Sequence, residues 1–408
     1  MMVEETLSLC DTKFLINSKL NSGYEKKSRS IICSPSASFA AVYPVVNRYI
    51  LQYCNLQDSR GGKVRELLDV KTIVTNPYRR CVGGFGRNIN IFFLLAEAMW
   101  IAAGHKDVEF LTIFNKRMAE FSDDGVVFHA PYGWRLRHWG VPSEGCAVNQ
   151  GLDQVTAAVR FLAEDPDTRQ VVMSIWNPDL DLGAVTKDKP CNDMVMLKIR
   201  EGKLITTIQN RSNDLHWGLP TNIFQFSFLT ELMSICLGIS LGVQTHNSQS
   251  LHIYEWNEIA KNMDNEYVKS GWKTTLYALA VSYKMDFAFE SEVPVNRMRE
   301  LTGFLDEIIR RLTCHAHNEE MSDEAGYESY LQDKSSYFWA VYEMLKTYIV
   351  YKKALKERSK DEAIQIAVER LKAIVKVLGK EFANWDYMML ANNFFNARMS
   401  NSNSIELL

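Results

Sequence analysis

Cys191 sits in the run Lys189-Pro190-Cys191-Asn192, and Arg211, Ser212 and Asp214 follow about twenty residues later. A thiolate is a soft nucleophile suited to adding to an electron-poor carbon. A free thiol, with a pKa of about 8.5, is mostly protonated at neutral pH, so positive charge or hydrogen-bond donors must stand close to it. Taken alone, such a cysteine is a small buried hydrophobe. Arginine forks suit a dianionic phosphate, and a set of them, rather than any single one, argues for an anion site. Asn222 carries an amide that can donate to a carbonyl and accept from a ring N–H at once. Glu97 lies in Phe92-Phe93-Leu94-Leu95-Ala96-Glu97-Ala98-Met99-Trp100, and a lone acid in an apolar run is costly to bury unless something uses it.

The elements that must position these groups read as α+β up to about residue 290. Short β-rich runs, Gln170–Trp176, Val195–Ile199 and Lys203–Ile208, alternate with helical stretches such as Asp153–Glu164 and Phe224–Gly238. His252 and Tyr254 fall on a further strand. From about Val295 the segments Arg297–Thr313, Ser335–Leu355 and Asp361–Leu378 repeat apolar residues at helical spacing with flanking Lys/Glu pairs, and no β-rich run separates them. Cys314–Gly326 reads as a linker between helices and Ser400–Leu408 as a frayed tail. The expected organisation is an N-terminal extension over 1–37, a catalytic domain over 38–290 and an all-helical C-terminal extension over 291–408.

The 408 residues, 47% hydrophobic and 23% charged, suffice for a large core. A formal net charge of -3 leaves no basic stripe, which argues against long nucleic acid as a partner and for a small ligand met by a few placed arginines. The N-terminus lacks the pattern of a signal peptide, and Glu97 and Glu231 interrupt the apolar stretches, so no membrane span and a cytoplasmic location are expected. Eight cysteines without CxxC pairs suggest neither a metal site nor a disulfide framework.

Order and spacing together carry a resemblance. Pro190-Cys191 is followed by Arg211-Ser212-Asn213-Asp214, Gly218-Leu219-Pro220-Thr221-Asn222 and His252-Ile253-Tyr254, with Arg60-Gly61-Gly62, Glu97 and Tyr132-Gly133-Trp134-Arg135 upstream. The chain resembles the thymidylate synthase family over roughly residues 38–290. The resemblance implies a mixed sheet with flanking helices and folate-dependent transfer of a one-carbon unit to carbon 5 of a pyrimidine nucleotide. Methylenetetrahydrofolate would serve as co-substrate, no metal would take part, and the active sites would be shared in a homodimer.

Carried over residue by residue, Cys191 is the nucleophile and Arg211 supplies charge beside it and a phosphate contact. Arg60 and Ser212 join the phosphate site, as does Arg169, donated by the partner subunit; the family's second arginine of that pair is Gln170 here. Asn222 reads the base, and an asparagine there implies uracil, hence dUMP, over cytosine. His252 and Tyr254 meet the sugar 3′-hydroxyl. Glu97 organises the water that moves protons, with Tyr132 in the catalytic set. Asp214 orients the folate, and Phe114 and Gly218 belong to its site.

Three departures stand out. The family's histidine after the nucleophile is Asn192, the two tryptophans walling the folate align with Phe114 and Arg117, and a long helical region replaces the short tail that closes the site. A wetter site favours capture of the exocyclic methylene by water over reduction by hydride. The expected reaction is therefore hydroxymethylation of dUMP. A divergent thymidylate synthase with the helical region as its lid, and a catalytically retired nucleotide binder, are the alternatives.

Overall fold

The computed structural model describes residues 13–16, 29–33, 39–83, 89–141, 151–263 and 282–399. One mixed sheet organises the first part of the chain. Its strands are β1 (Lys13–Ile16), β2 (Arg29–Cys33), β3 (Leu56–Ser59), β4 (Gly62–Val74), β5 (Val171–Ser174), β6 (Asn192–Arg200), β7 (Lys203–Asn210), β8 (Asn213–Asp214) and β9 (Ser240–Tyr254). The order is β1-β2-β4-β9-β7-β6-β5, with β3 on β4 and β8 on β9. Two strands from the region expected to be an N-terminal extension thus extend one edge of the sheet.

Strand β9 is the hub. It pairs antiparallel with β4, setting His252 opposite Glu66 and Tyr254 opposite Val64. It pairs parallel with β8, setting Asp214 opposite His252. Residues of one strand alternate between faces, so His252 and Tyr254 share a face and the short β8 register delivers Asp214 beside them. Helix α1 (Tyr43–Tyr53) covers the sheet through Val46 and Ile50, in a core with Leu215, Leu219 and Ile253.

Helices α2 (Ile91–Ala103) and α7 (Leu219–Leu237) are buried on nearly every side, as their apolar sequences require. Asn90 caps α2 by accepting the Phe93 N–H at 3.2 Å. The short helices α3 (Glu109–Phe114) and α4 (Tyr132–Arg137) and helix α5 (Gln154–Glu164) flank them, and one further turn, α6 (Pro178–Asp181), follows β5. Helix α4 is fixed by Arg135, whose Nη1 and Nη2 each reach a buried Asp181 oxygen at 2.9 Å, the bidentate pairing that makes such contacts geometrically specific.

The helical region holds α8 (Pro294–His317), α9 (Glu324–Lys334), α10 (Ser336–Glu357), α11 (Lys360–Leu378) and α12 (Asp386–Asn396). Here the sequence expectations need three corrections. The connection expected over Cys314–Gly326 shrinks to 318–323, because α8 runs through His317 and α9 starts at Glu324 under an Asp323 cap. Helices α9 and α12 were not anticipated. The helices also share one core with the first part of the chain: Tyr348 of α10 stacks on Phe114 at 5.6 Å and packs on Phe92 at 5.0 Å, and Phe338 meets Phe228 at 6.4 Å. A buried ion pair, Arg80 with Glu231, lies at the same junction, where Glu231 also accepts the Met285 N–H at 2.7 Å. Ser400–Leu408 lies outside the described residues.

Candidate active site

Cys191 stands directly after Pro190 and immediately before the first residue of β6. Its N–H donates to the Tyr132 hydroxyl at 3.3 Å, and its carbonyl accepts the Arg211 N–H at 3.1 Å, which ties this segment to α4 and to the end of β7. Arg211 folds back over that segment. Its Nε donates to the Pro190 carbonyl at 2.8 Å and its Nη2 to the Lys189 carbonyl at 3.2 Å, which leaves Nη2 3.8 Å from the Cys191 sulfur. The guanidinium also lies 5.8 Å from the centre of the Trp176 ring. Burial pushes the Cys191 thiol up, and Asp188 and Asp193 add to that, whereas Arg211 and Arg60 pull it back down.

Arg60, Cys191, Arg211, Ser212, His252 and Tyr254 line one cavity of about 440 Å³, together with Lys189, Glu66 and Ser250. That is within the ~300–1,000 Å³ usual for small-molecule sites. Arg60 is steadied by the Thr186 carbonyl at 3.1 Å. Gly61 is required beside it, since a Cβ there would come within 2.8 Å of the Tyr254 ring. Tyr254 in turn stacks on Trp256 at 5.1 Å and stands edge-on to His252 at 5.2 Å. Arg60, Lys189 and Arg211 outnumber Asp58 and Glu66 on the walls, and Glu66 is already engaged by the Ser250 hydroxyl at 2.6 Å, so an anion suits the space.

Glu97 and Tyr132 line a second cavity, of about 220 Å³, with Gln225, Asp188, Trp100, Leu111, Met118, Phe121 and Phe128. Burial pushes the Glu97 carboxyl up to about 7, against a hydrogen bond from Gln225. Its Oε2 is closed off from solvent with no hydrogen-bond partner among the described residues. Tyr132 belongs to this cavity and accepts the Cys191 N–H, so it links the two spaces.

Other expected residues lie off both walls. Asn222, 6% exposed, sits in a ladder of amides: its Oδ1 accepts from Asn192 Nδ2 at 3.1 Å and its Nδ2 donates to Asn213 Oδ1 at 3.1 Å. Asn213 continues to Ser248 at 3.1 Å, and Asn210 donates to Asn192. Asn192, which the motif comparison registers only as a departure, is thus the neighbour that orients Asn222. Asp214 accepts the backbone N–H groups of His216 and Trp217, starting the turn into α7. Gly218 lies behind it, where a Cβ would stand 2.7 Å from Asn213 Oδ1. Arg169 is exposed, ahead of β5 and apart from both cavities.

Phe114 and Arg117 correct the expectation about the folate wall. Phe114 is 2% exposed and turned into the junction with α10, where its carbonyl accepts the Tyr348 hydroxyl at 3.0 Å. Arg117 is on the surface beside Glu120 at 3.6 Å. Met118 and Phe121 of the same stretch face the cavity instead. No described residue beyond Tyr254 lines either cavity, so among the described residues the helical region packs behind the site rather than over it. Asp188 and Gln225 are the residues that the sequence did not bring forward; proximity to Cys191 is the signal that points to the first.

Among the described residues no helix is long and apolar enough to cross a membrane, and no group of three or more His, Cys, Asp or Glu could hold a metal ion. Comparison with known proteins agrees with the geometry. Residues 86–272 match the family model Thymidylate synthase. A deoxyuridylate hydroxymethyltransferase of Bacillus phage SP01 is 46% identical over 197 residues, 48% of this chain and 51% of that protein. A deoxyuridylate hydroxymethyltransferase of Pseudomonas phage M6 is 37% identical over 256 residues, 62% of this chain and 70% of that protein. A bifunctional dihydrofolate reductase-thymidylate synthase of Paramecium tetraurelia is 32% identical over 170 residues, 41% of this chain and 36% of that protein. The chain therefore spans about half of the first relative's length and more of the second's. With the cysteine, arginine and amide framework in place and this extent of likeness, the chain belongs to the thymidylate synthase family.

Proposed function

We propose that this protein transfers a one-carbon unit from methylenetetrahydrofolate to carbon 5 of dUMP and releases it as a hydroxymethyl group. The observation that carries the reading is Arg211 Nη2 standing 3.8 Å from the Cys191 sulfur on the wall of an anion-suited cavity. Phage relatives with the name deoxyuridylate hydroxymethyltransferase support the choice of product.

In this reading Arg60, Arg211 and Ser212 hold the 5′-phosphate, with Arg169 of the partner subunit completing the set in a homodimer. His252 and Tyr254 meet the sugar, and Asn222, oriented by Asn192 and Asn213, reads the uracil edge. The Cys191 thiolate adds to carbon 6, and carbon 5 becomes an enolate-like nucleophile. The aromatic and aliphatic wall of Trp100, Leu111, Met118, Phe121 and Phe128 fits a flat heteroaromatic ring, so the folate is assigned to the space shared with Glu97 and Tyr132. When bound, it supplies the methylene carbon. Glu97, with a carboxyl near 7, can hold or release a proton at neutral pH, the match of pKa to working pH that favours acid–base work.

Cys191→Ser tests the nucleophile. A hydroxyl is far less nucleophilic than a thiolate at neutral pH, so the variant should bind dUMP normally and form neither product nor a covalent adduct visible by intact-protein mass. Near-full turnover by this variant would remove Cys191 from the mechanism.

A further inference from the structure

Asp188 has no role in the scheme so far, yet it stands three residues before the nucleophile and lines the same cavity as Glu97 and Tyr132. Its carboxylate is held by the Ala130 N–H, which Oδ2 accepts at 2.8 Å, and its backbone by its N–H donating to the Thr186 hydroxyl at 3.1 Å. Tyr132, on the wall of that cavity, carries the connection to the reacting side through the Cys191 N–H.

The two carboxyls of this cavity have unlike surroundings. Burial raises both. Against it, Asp188 has the Ala130 amide and the neighbouring His129 and Arg135, with Asp123 acting the other way, whereas Glu97 has a hydrogen bond from Gln225 and an Oε2 without a partner among the described residues. Paired carboxyls set apart in this way divide into one that holds a proton and one that can take one.

We propose that Asp188 is the base that takes the proton from the water attacking the exocyclic methylene of the nucleotide. The water oxygen bonds to the methylene carbon, its proton passes to the Asp188 carboxylate, and the methylene π electrons move into the ring as an enolate over carbon 5 and the 4-oxygen. That electron pair then re-forms the bond between carbons 5 and 6 and expels Cys191 as a thiolate. No oxidant or reductant is consumed. The inference rests on the hydroxymethylation reading above.

The test uses Asp188→Asn in the full chain, which keeps an acceptor for the Ala130 N–H. Wild type and variant receive methylenetetrahydrofolate and dUMP tritiated at carbon 5, and product, tritium release and intact-protein mass are followed. Wild type should release tritium and hydroxymethyl-dUMP together over many turnovers. The variant should bind dUMP with unchanged affinity by calorimetry and release a single burst of tritium equal to the active sites. It should also accumulate a nucleotide adduct on Cys191 and form hydroxymethyl-dUMP about 10²–10⁴-fold more slowly, the span for loss of a general base. A simple thiol such as 2-mercaptoethanol, attacking as its own anion, should discharge that adduct as a thioether. Hydroxymethyl-dUMP formation within about threefold of wild type overturns the proposal, and so does an equal loss of adduct and product, which would give Asp188 a purely structural part. Should wild type itself yield dTMP and dihydrofolate, the hydroxymethylation reading fails in that arm alone, and the proposal falls with it.

Discussion

Arg211 is clamped to the backbone of the residues that precede Cys191, and the clamp fixes its Nη2 3.8 Å from the sulfur. Its charge therefore opposes, at a set distance, the burial that pushes the thiol up. Arg211→Gln should move the midpoint of Cys191 alkylation by iodoacetamide to higher pH. In buffer below that midpoint, the reaction should slow about tenfold for every pH unit by which the midpoint rises. An unchanged midpoint would mean that the guanidinium does not govern the thiolate.

The amide ladder holds the Asn222 side chain in one orientation, as the proposed base-reading role requires. Asn222→Asp should weaken dUMP use and raise relative use of dCMP, since a protonated carboxyl can donate to the cytosine ring nitrogen and accept from its amino group. The ionised form would set a second acceptor against Asn213 Oδ1, so the variant should also lose about 1–3 kcal/mol of stability in urea unfolding. A dUMP/dCMP ratio equal to wild type would take Asn222 out of base selection.

Arg169 is exposed and lines neither cavity of its own chain, as a residue given to a neighbour would do. Arg169→Ala and Cys191→Ala proteins should each be inactive, and mixing them should restore part of the activity through hybrid dimers with one intact site. Confirmed subunit exchange without recovered activity would contradict a shared site.

His105 joins the two parts of the molecule: it contacts Asp107 at 3.2 Å and Asp306 of α8 at 2.9 Å. Burial opposes its charge, but the hydrogen bonds to the two aspartates outweigh it and raise its pKa to about 9. A histidine raised in the folded state contributes stability that is full below its unfolded value of about 6.5 and is lost as pH climbs through 9. Compared with His105→Gln, wild type should lose about 1–3 kcal/mol between those limits, measured by chemical unfolding. Parallel stability curves for the two proteins would remove the clamp.

Much of the candidate site was legible because its residues fall in short local runs around β6, β8 and β9, where a motif fixes both identity and strand register. Arg60, Cys191, Arg211, Ser212, His252 and Tyr254 do line one cavity. Position in a motif does not fix direction, however, and Phe114 shows the consequence: the ring expected on the folate wall is covered by Tyr348, more than two hundred residues away in sequence. The helical spacing after Val295 announced helices but not what their apolar faces cover, because that depends on α2 and α7. Asp188 stayed out of view for a similar reason, since its anchoring by Ala130 is a contact between distant loops.

The central claim is that Cys191 activates dUMP and that water, rather than hydride, completes the transfer. The most direct measurement is the absorbance of the folate during turnover with dUMP and methylenetetrahydrofolate, with the nucleotide product identified by mass. Water capture leaves the carrier as tetrahydrofolate and should give 5-hydroxymethyl-dUMP with little dihydrofolate. Dihydrofolate formed in step with dTMP would contradict the account.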